Sequence, residues 1–287
     1  MSEAPPRRHP VRGVDHVFLL VRDLGAAAER WRRLGFTVGP EGRHSAHKGT
    51  ANHTIMLADD YVELLGVVTP TPANEAQRAA LDRGEEGLAA IACKIDDARA
   101  AVAALGELDL PTTEVMDFER PVELPAGGTG RAAFSIAAFA PEAVPHGYVF
   151  MCQHHTRDTV WLPELMAHPN GARRLAGVTA AVADPIATAT SYARLFARGV
   201  VVERDGGAEV RTGDAPILFL TPAALAAAYP GLARPAAAYA VLQVEVAELE
   251  VVRRILAEAG VAGHETVGGL AVAPGDAAGS IVEFVAA

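Results

Sequence analysis

The chain has 287 residues, half of them hydrophobic and 21% charged, with a formal net charge of −10. That profile fits a globular chain long enough for one large or two ordinary domains, and its acidity speaks against a nucleic-acid groove, which needs clustered Lys and Arg. No apolar run approaches the roughly 18 residues of a membrane span, so no membrane partner is expected. The N-terminal stretch to Pro10 carries Pro5, Pro6, Arg7 and Arg8 but no apolar centre, and does not read as a secretory signal. Cys93 and Cys152 each lie in an apolar run and make neither zinc spacing nor a disulfide framework. Buried free thiols point to a reducing, cytoplasmic location. Lysine occurs only at Lys48 and Lys94, a bias read as genomic rather than functional.

The first predicted strand is Val14–Val21, which carries His16 inside an apolar run. Asp23 caps a helix over Leu24–Leu34, whose Leu24, Ala27, Ala28, Trp31 and Leu34 form one apolar stripe. Gly35 ends it. Short strands are expected at Phe36–Val38, Asn52–Leu57 and Tyr61–Val68, the last two joined by the Asp59-Asp60 turn. The same order then returns. Leu88–Ile95 precedes a helix over Ala98–Leu105 capped by Asp96 or Asp97, with strands Ala132–Phe139 and Tyr148–Gln153 to follow. Ala176–Ala183 leads to a helix that begins at Asp184-Pro185 and strands at Val200–Glu203, Ala208–Arg211 and Ile217–Leu220. Tyr239–Val246, a helix over Leu249–Ala259, Leu270–Ala273 and Ile281–Val285 complete the last unit. Four such units predict an α+β fold of four βαβββ modules.

This pattern, with Asp15-His16 on the first strand and Tyr61-Val62-Glu63-Leu64 on the fourth, resembles the vicinal oxygen chelate superfamily over about Val11 to Val285. Within it the chain is most similar to the bacterial glyoxalase-like group, through Gly49-Thr50-Ala51-Asn52-His53 and His168-Pro169-Asn170-Gly171-Ala172. The resemblance implies two tandem curved-sheet domains: residues 11–155 with the site, a connector over 156–172, and a degenerate copy over 173–287 that covers the first or mediates self-association. A homodimer is possible on this reading.

The resemblance also implies one divalent metal on the inner surface of a sheet, with a ligand from the first and last strand of each module. A His and a Glu within apolar strands suit zinc, nickel, manganese or iron, and His16 and Glu63 match both positions of the first module. The second module does not match. Aligning Asp23 with Asp96 puts Ala89 where a His is expected, and Phe150 stands where a Glu is expected. His154 shares parity with Phe150 and Cys152 and could supply a displaced ligand. The third module offers Gly177, and the fourth Val241 and Glu283, the latter read as an edge-strand carboxylate rather than a ligand. Two readings stay open: a metal held by His16, Glu63 and His154, with His16 and Glu63 as the catalytic pair, or no metal at all. The first gives a lyase or isomerase on a small vicinal-oxygen or aromatic substrate, with ring-opening dioxygenase chemistry disfavoured by Gly177. The second gives a small-molecule sequestering protein of the bleomycin-resistance type.

His53, placed on the inner face of its strand, Phe150, Cys152 and Trp161 complete the expected substrate pocket. Trp161 belongs to the His-rich segment 153–172, which is either a packed connection or a pocket wall. His44 and His47 read as a solvated loop, a candidate lid, and Leu124–Arg131 as a Gly-rich hairpin loop.

Overall fold

The computed structural model describes residues 9–124 and 127–287. The first half runs β1 (Val14–Val21), α1 (Leu24–Arg33), β2 (Gly42–Arg43), β3 (Thr50–Met56), β4 (Tyr61–Val67), α2 (Glu75–Asp82), β5 (Gly87–Lys94), α3 (Ala98–Gly106), β6 (Met116–Glu123), β7 (Thr129–Ala138) and β8 (Tyr148–His154). The second half runs β9 (Ala172–Ala181), α4 (Pro185–Ala193), β10 (Val200–Arg204), β11 (Gly207–Arg211), β12 (Ile217–Leu220), α5 (Pro222–Ala228), β13 (Val241–Val246), α6 (Leu249–Glu258), β14 (Gly263–Glu265), β15 (Gly269–Val272) and β16 (Ile281–Ala286). The fold is α+β, and its four βαβββ modules form two tandem eight-stranded sheets. Among the described residues no helix is long and apolar enough to cross a membrane.

The first sheet has the order β2-β3-β4-β1-β5-β8-β7-β6, and the second repeats it as β10-β11-β12-β9-β13-β16-β15-β14. Within each module the first and last strands pair in parallel, as β1 with β4 and β5 with β8. The two modules join back to back through the antiparallel pair β1 and β5. Right-handed twist curls such a sheet, and its edge strands β2 and β6 come into contact, so that the sheet nearly closes on itself.

The helices form for local reasons. Asp23, Asp97 and Asp184 each accept the backbone N–H three residues on, at Ala26, Ala100 and Ala187, a cap worth about 1 kcal/mol. The buried stripe Leu24, Ala27, Ala28 and Trp31 packs α1 against the outer face of the first sheet. One continuous hydrophobic cluster runs from there into the second half, where Phe36 stacks on Phe284 with ring centroids 5.7 Å apart. The connector is pinned as well. His168 accepts the Thr37 N–H at Nδ1 and donates from Nε2 to the Met56 carbonyl, while the buried Asn170 donates to the Leu34 carbonyl.

One local expectation is corrected and one open alternative is settled. Phe36–Val38 is not a strand: the Thr37 N–H goes to His168 rather than to a ladder, and the short β2 forms further on, at Gly42–Arg43. The cap of α3 is Asp97, not Asp96, which shifts the second module by one residue.

Candidate functional site

The site grows from one strand pairing. β1 and β4 lie side by side with His16 opposite Tyr61 and Phe18 opposite Glu63. Side chains alternate between faces along a strand, so His16 and Glu63 share the inner face as diagonal neighbours. His16 Nε2 lies 3.9 Å from Glu63 Oε2. Both residues are buried, and both line a cavity of about 540 Å³ inside the first sheet. Its walls are largely aromatic, from Phe18, Phe118, Phe134, Tyr148 and Phe150.

Each partner is held in place. Asp15 Oδ1 accepts from His16 Nδ1 at 2.7 Å and from His154 Nε2 at 2.9 Å. Burial pushes the Asp15 carboxyl up, but the hydrogen bonds from His154 and His16 outweigh it and hold the group well below the usual carboxylate range. Asp15 is therefore an anion, and both ring nitrogens that face it are donors. This leaves His16 Nε2 turned to Glu63. Tyr61 stacks on the His16 ring at 4.1 Å, which fixes its plane. On the other side Asn52 Nδ2 donates to Glu63 Oε1 at 2.6 Å, leaving Oε2 for His16 and the cavity.

The remaining expected residues divide. Phe150 and Cys152 line the cavity. Burial pushes the Cys152 thiol far up, so it stays protonated. His154 meets the His16 ring edge-on at 6.4 Å and shares Asp15 with it, and its buried Nδ1 has no partner among the described residues. Asp15, His16, Cys152 and His154 present donor atoms within 4.8 Å of one another, a set that could hold a metal ion. His53 lies outside the cavity. β3 points Thr50, Asn52 and Thr54 inward and turns His53 to the outer face, where Nδ1 bonds the Gly39 carbonyl. Trp161 is also outside. It packs edge-on against Tyr61 and His154 at 5.5 and 5.0 Å and so forms a backing layer to the wall.

The Asp97 cap and the pairing of Ala90 with Tyr148 make Ala90, not Ala89, the counterpart of His16, and Phe150 that of Glu63. Neither can bind a metal. In the second sheet Gln243 faces Glu283 as Phe18 faces Glu63. Glu283 is no edge carboxylate: β16 is an interior strand, and Tyr229, Gln243 and Thr266 all donate to the buried group.

Asn52, Lys48 and Arg120 were not anticipated in the cavity. His44 and His47, expected in a solvated loop, line its mouth together with Lys48. Burial lowers the His44 pKa to about 4, and its Nδ1 bonds the Thr50 hydroxyl at 2.7 Å.

A solved structure described as a hypothetical protein from Staphylococcus aureus superposes with a TM-score of 0.69 at 13% identity, covering 96% of this chain and 99% of that one. A mutant of 4-hydroxymandelate synthase from Streptomyces coelicolor superposes with a TM-score of 0.54 at 13% identity, covering 96% and 93%. At these identities the likeness is one of fold. No curated protein matches the sequence. The glyoxalase-like domain model matches residues 14–196, well over half the sequence, and the chain belongs to that family.

Proposed function

We propose that the first-sheet cavity is the active site of a divalent-metal-dependent lyase or isomerase acting on a small substrate with two vicinal oxygens. The observation that carries this reading is the pair His16 Nε2 and Glu63 Oε2, which face each other across 3.9 Å at the cavity floor. With Nδ1 committed to Asp15 and Glu63 Oε1 committed to Asn52, Nε2 and Oε2 are the atoms left to face each other and the cavity. Such a pair is stable when a cation or a donated hydrogen lies between its members. An imidazole nitrogen and a carboxylate oxygen with open space beside them suit a catalytic divalent ion. His16 and Glu63 would hold it, and substrate oxygens would complete its shell.

When bound, such an ion supplies Lewis-acid stabilisation of enolate-like charge on the substrate. The chain's own residues do the rest. Asp15 fixes the tautomer and orientation of His16, and His154 holds Asp15 from behind. Asn52 fixes Glu63 through Oε1, so that Oε2 faces His16 and the cavity, where it would be a ligand of the ion and, only when released from it, a base for a substrate proton. The aromatic walls orient the substrate body and exclude water.

A second reading, a metal-free sequestering protein, is favoured by one observation: Ala90 and Phe150 occupy the register positions of the other two expected ligands. The two readings separate on metal content. The protein is stripped with chelator, reloaded with zinc, manganese, nickel or ferrous iron, and analysed by elemental mass spectrometry beside His16→Ala and Glu63→Gln. The proposal expects near one equivalent in the wild type and its loss in both variants at unchanged circular dichroism. No uptake by the wild type, or full retention by both variants, overturns it in favour of sequestration.

A further inference from the structure

The mouth of the same cavity carries two cations, Lys48 and Arg120, that share the charge of one carboxylate, Glu63, without pairing to it directly. Lys48 Nζ sits 3.2 Å above the centre of the Phe118 ring, and Arg120 projects from the edge strand β6; both line the cavity. Among the described residues neither forms an ion pair, although the chain as a whole is acidic. Both are half-buried, and burial lowers the pKa of each, that of Lys48 to about 8. Two half-buried cations against one carboxylate leave one positive charge over, which an anionic ligand would balance.

The surroundings are built to hold them there. The Lys48 carbonyl accepts from Asn74 Nδ2 at 2.8 Å, and Asn74 is itself 1% exposed. Gly49, the next residue, has φ +61°, and a Cβ there would stand 2.2 Å from the Thr69 carbonyl oxygen, so only glycine lets this loop close. Across the mouth, a Cβ on Gly42 would stand 2.6 Å from Arg120 Nη1; the missing side chain makes room for the guanidinium.

A third feature points to the same ligand. Asn52 is 5% exposed and lines the cavity. Its Nδ2 is committed to Glu63, and its Oδ1 is buried with no partner among the described residues. A buried carbonyl oxygen without a donor needs one from a bound molecule.

We infer that Lys48 and Arg120 form a carboxylate subsite, and that the ligand of this cavity is an aromatic monocarboxylic acid with a hydroxyl beside the carboxylate for Asn52 Oδ1. This rests on reading the first-sheet cavity as the substrate site, and it names the substrate class for that reading. A single negative charge is favoured over a doubly charged phosphate by the wall itself: Lys48 and Arg120 supply two positive charges, and Glu63 offsets one of them. The aromatic body follows from the ring-lined walls, and it would meet Lys48 through the same cation–π contact that Phe118 makes.

The test is calorimetric binding to the full-length, chelator-stripped protein of three probes: 3-phenyllactate, its uncharged amide, and phenyl phosphate. The acid should bind about tenfold or more tightly than the amide, the range for charge-assisted hydrogen bonds. That ratio should collapse toward one in Lys48→Met and Arg120→Met, and recover in part in Lys48→Arg. The ratio is read within each variant, so a loss of folded protein does not imitate it. An equal affinity of acid and amide in the wild type overturns the inference, as does an unchanged ratio in both variants, failure of both probes to bind, or preference for phenyl phosphate over the acid. The same ratio measured in Glu63→Gln separates this inference from the catalytic one: discrimination that persists without metal uptake keeps the carboxylate subsite and removes the metal chemistry.

Discussion

Asp60 should make the stability of this protein fall as pH rises toward neutrality. It sits in the turn between β3 and β4, 5% exposed, where Oδ1 accepts the Leu175 N–H of β9 at 3.0 Å and so ties the first sheet to the second. Burial pushes its carboxyl up from 3.8 to about 7, against the opposing pull of the Leu175 N–H and of Lys94; Asp214 and Asp15 push the same way as burial. The folded form thus binds its proton more tightly than the unfolded chain. Its contribution is fully present below about pH 3.8, is lost as pH rises through the interval up to about 7, and is level above that. Three units at 1.36 kcal/mol each set an upper bound of ~4 kcal/mol. Asp60→Asn keeps an oxygen acceptor for Leu175 and removes the ionisation. Urea unfolding of both proteins at a series of pH values should show the variant gaining on the wild type by ~2 kcal/mol between about pH 5.5 and pH 8. A stability difference that stays constant across that range would refute the assignment of a raised pKa to Asp60.

Two further outcomes are expected. Asp15→Asn should leave the fold intact but lower metal affinity at His16 by about 10- to 100-fold, the usual effect of losing the partner that orients a ligand imidazole; equal affinity in a competition titration against a chelator would show that Asp15 does not orient His16. Gly49→Ala should destabilise the chain by ~2 kcal/mol or more, because φ is positive there and the Thr69 carbonyl blocks the Cβ. A melting temperature within error of the wild type would show that the loop before β3 adapts.

How far the sequence disclosed this site depends on where each residue lies. His16 and Glu63 stand out because polar groups interrupt apolar strands, and such interruptions are visible without coordinates. Both emerge on the inner face, 3.9 Å apart. The partner of His16, Asp15, is adjacent in sequence, but its hydrogen bond to His154 spans most of the first half and could not be read from spacing. His53 shows how fragile parity is. One residue of register decides which face a strand residue takes, and the structure gives the inner face to Asn52 rather than to its neighbour. Arg120 was hidden for a different reason. Its strand, β6, is charged and contains Pro121, a composition that reads as loop and is tolerated because β6 is an edge. Lys48 lies in a loop whose position depends on Gly49 and Asn74, contacts that no periodicity encodes.

The second sheet shows why the proposed site falls at Glu63 and not at its counterpart in the other copy of the fold. Glu63 and Glu283 occupy the same register position in their modules, opposite Phe18 and Gln243. Among the described residues Glu63 has one hydrogen-bond donor on one oxygen, from Asn52, and its other oxygen faces the cavity and His16. Glu283 has three donors: Tyr229 and Gln243 on Oε2 and Thr266 on Oε1. Tyr229 follows α5, a helix inserted after β12, and it joins Leu225 in filling the second sheet with a hydrophobic cluster of its own. In the first sheet the corresponding insertion, α2, contributes Ala76, Gln77 and Ala80 to the cavity lining, and the interior stays open. A buried carboxylate satisfied by its own chain has no capacity left for a ligand, whereas one satisfied on a single oxygen needs a partner from outside. The same strand position therefore serves packing in one half and, on the proposed reading, recognition in the other, and the difference is set by what the chain places in front of it.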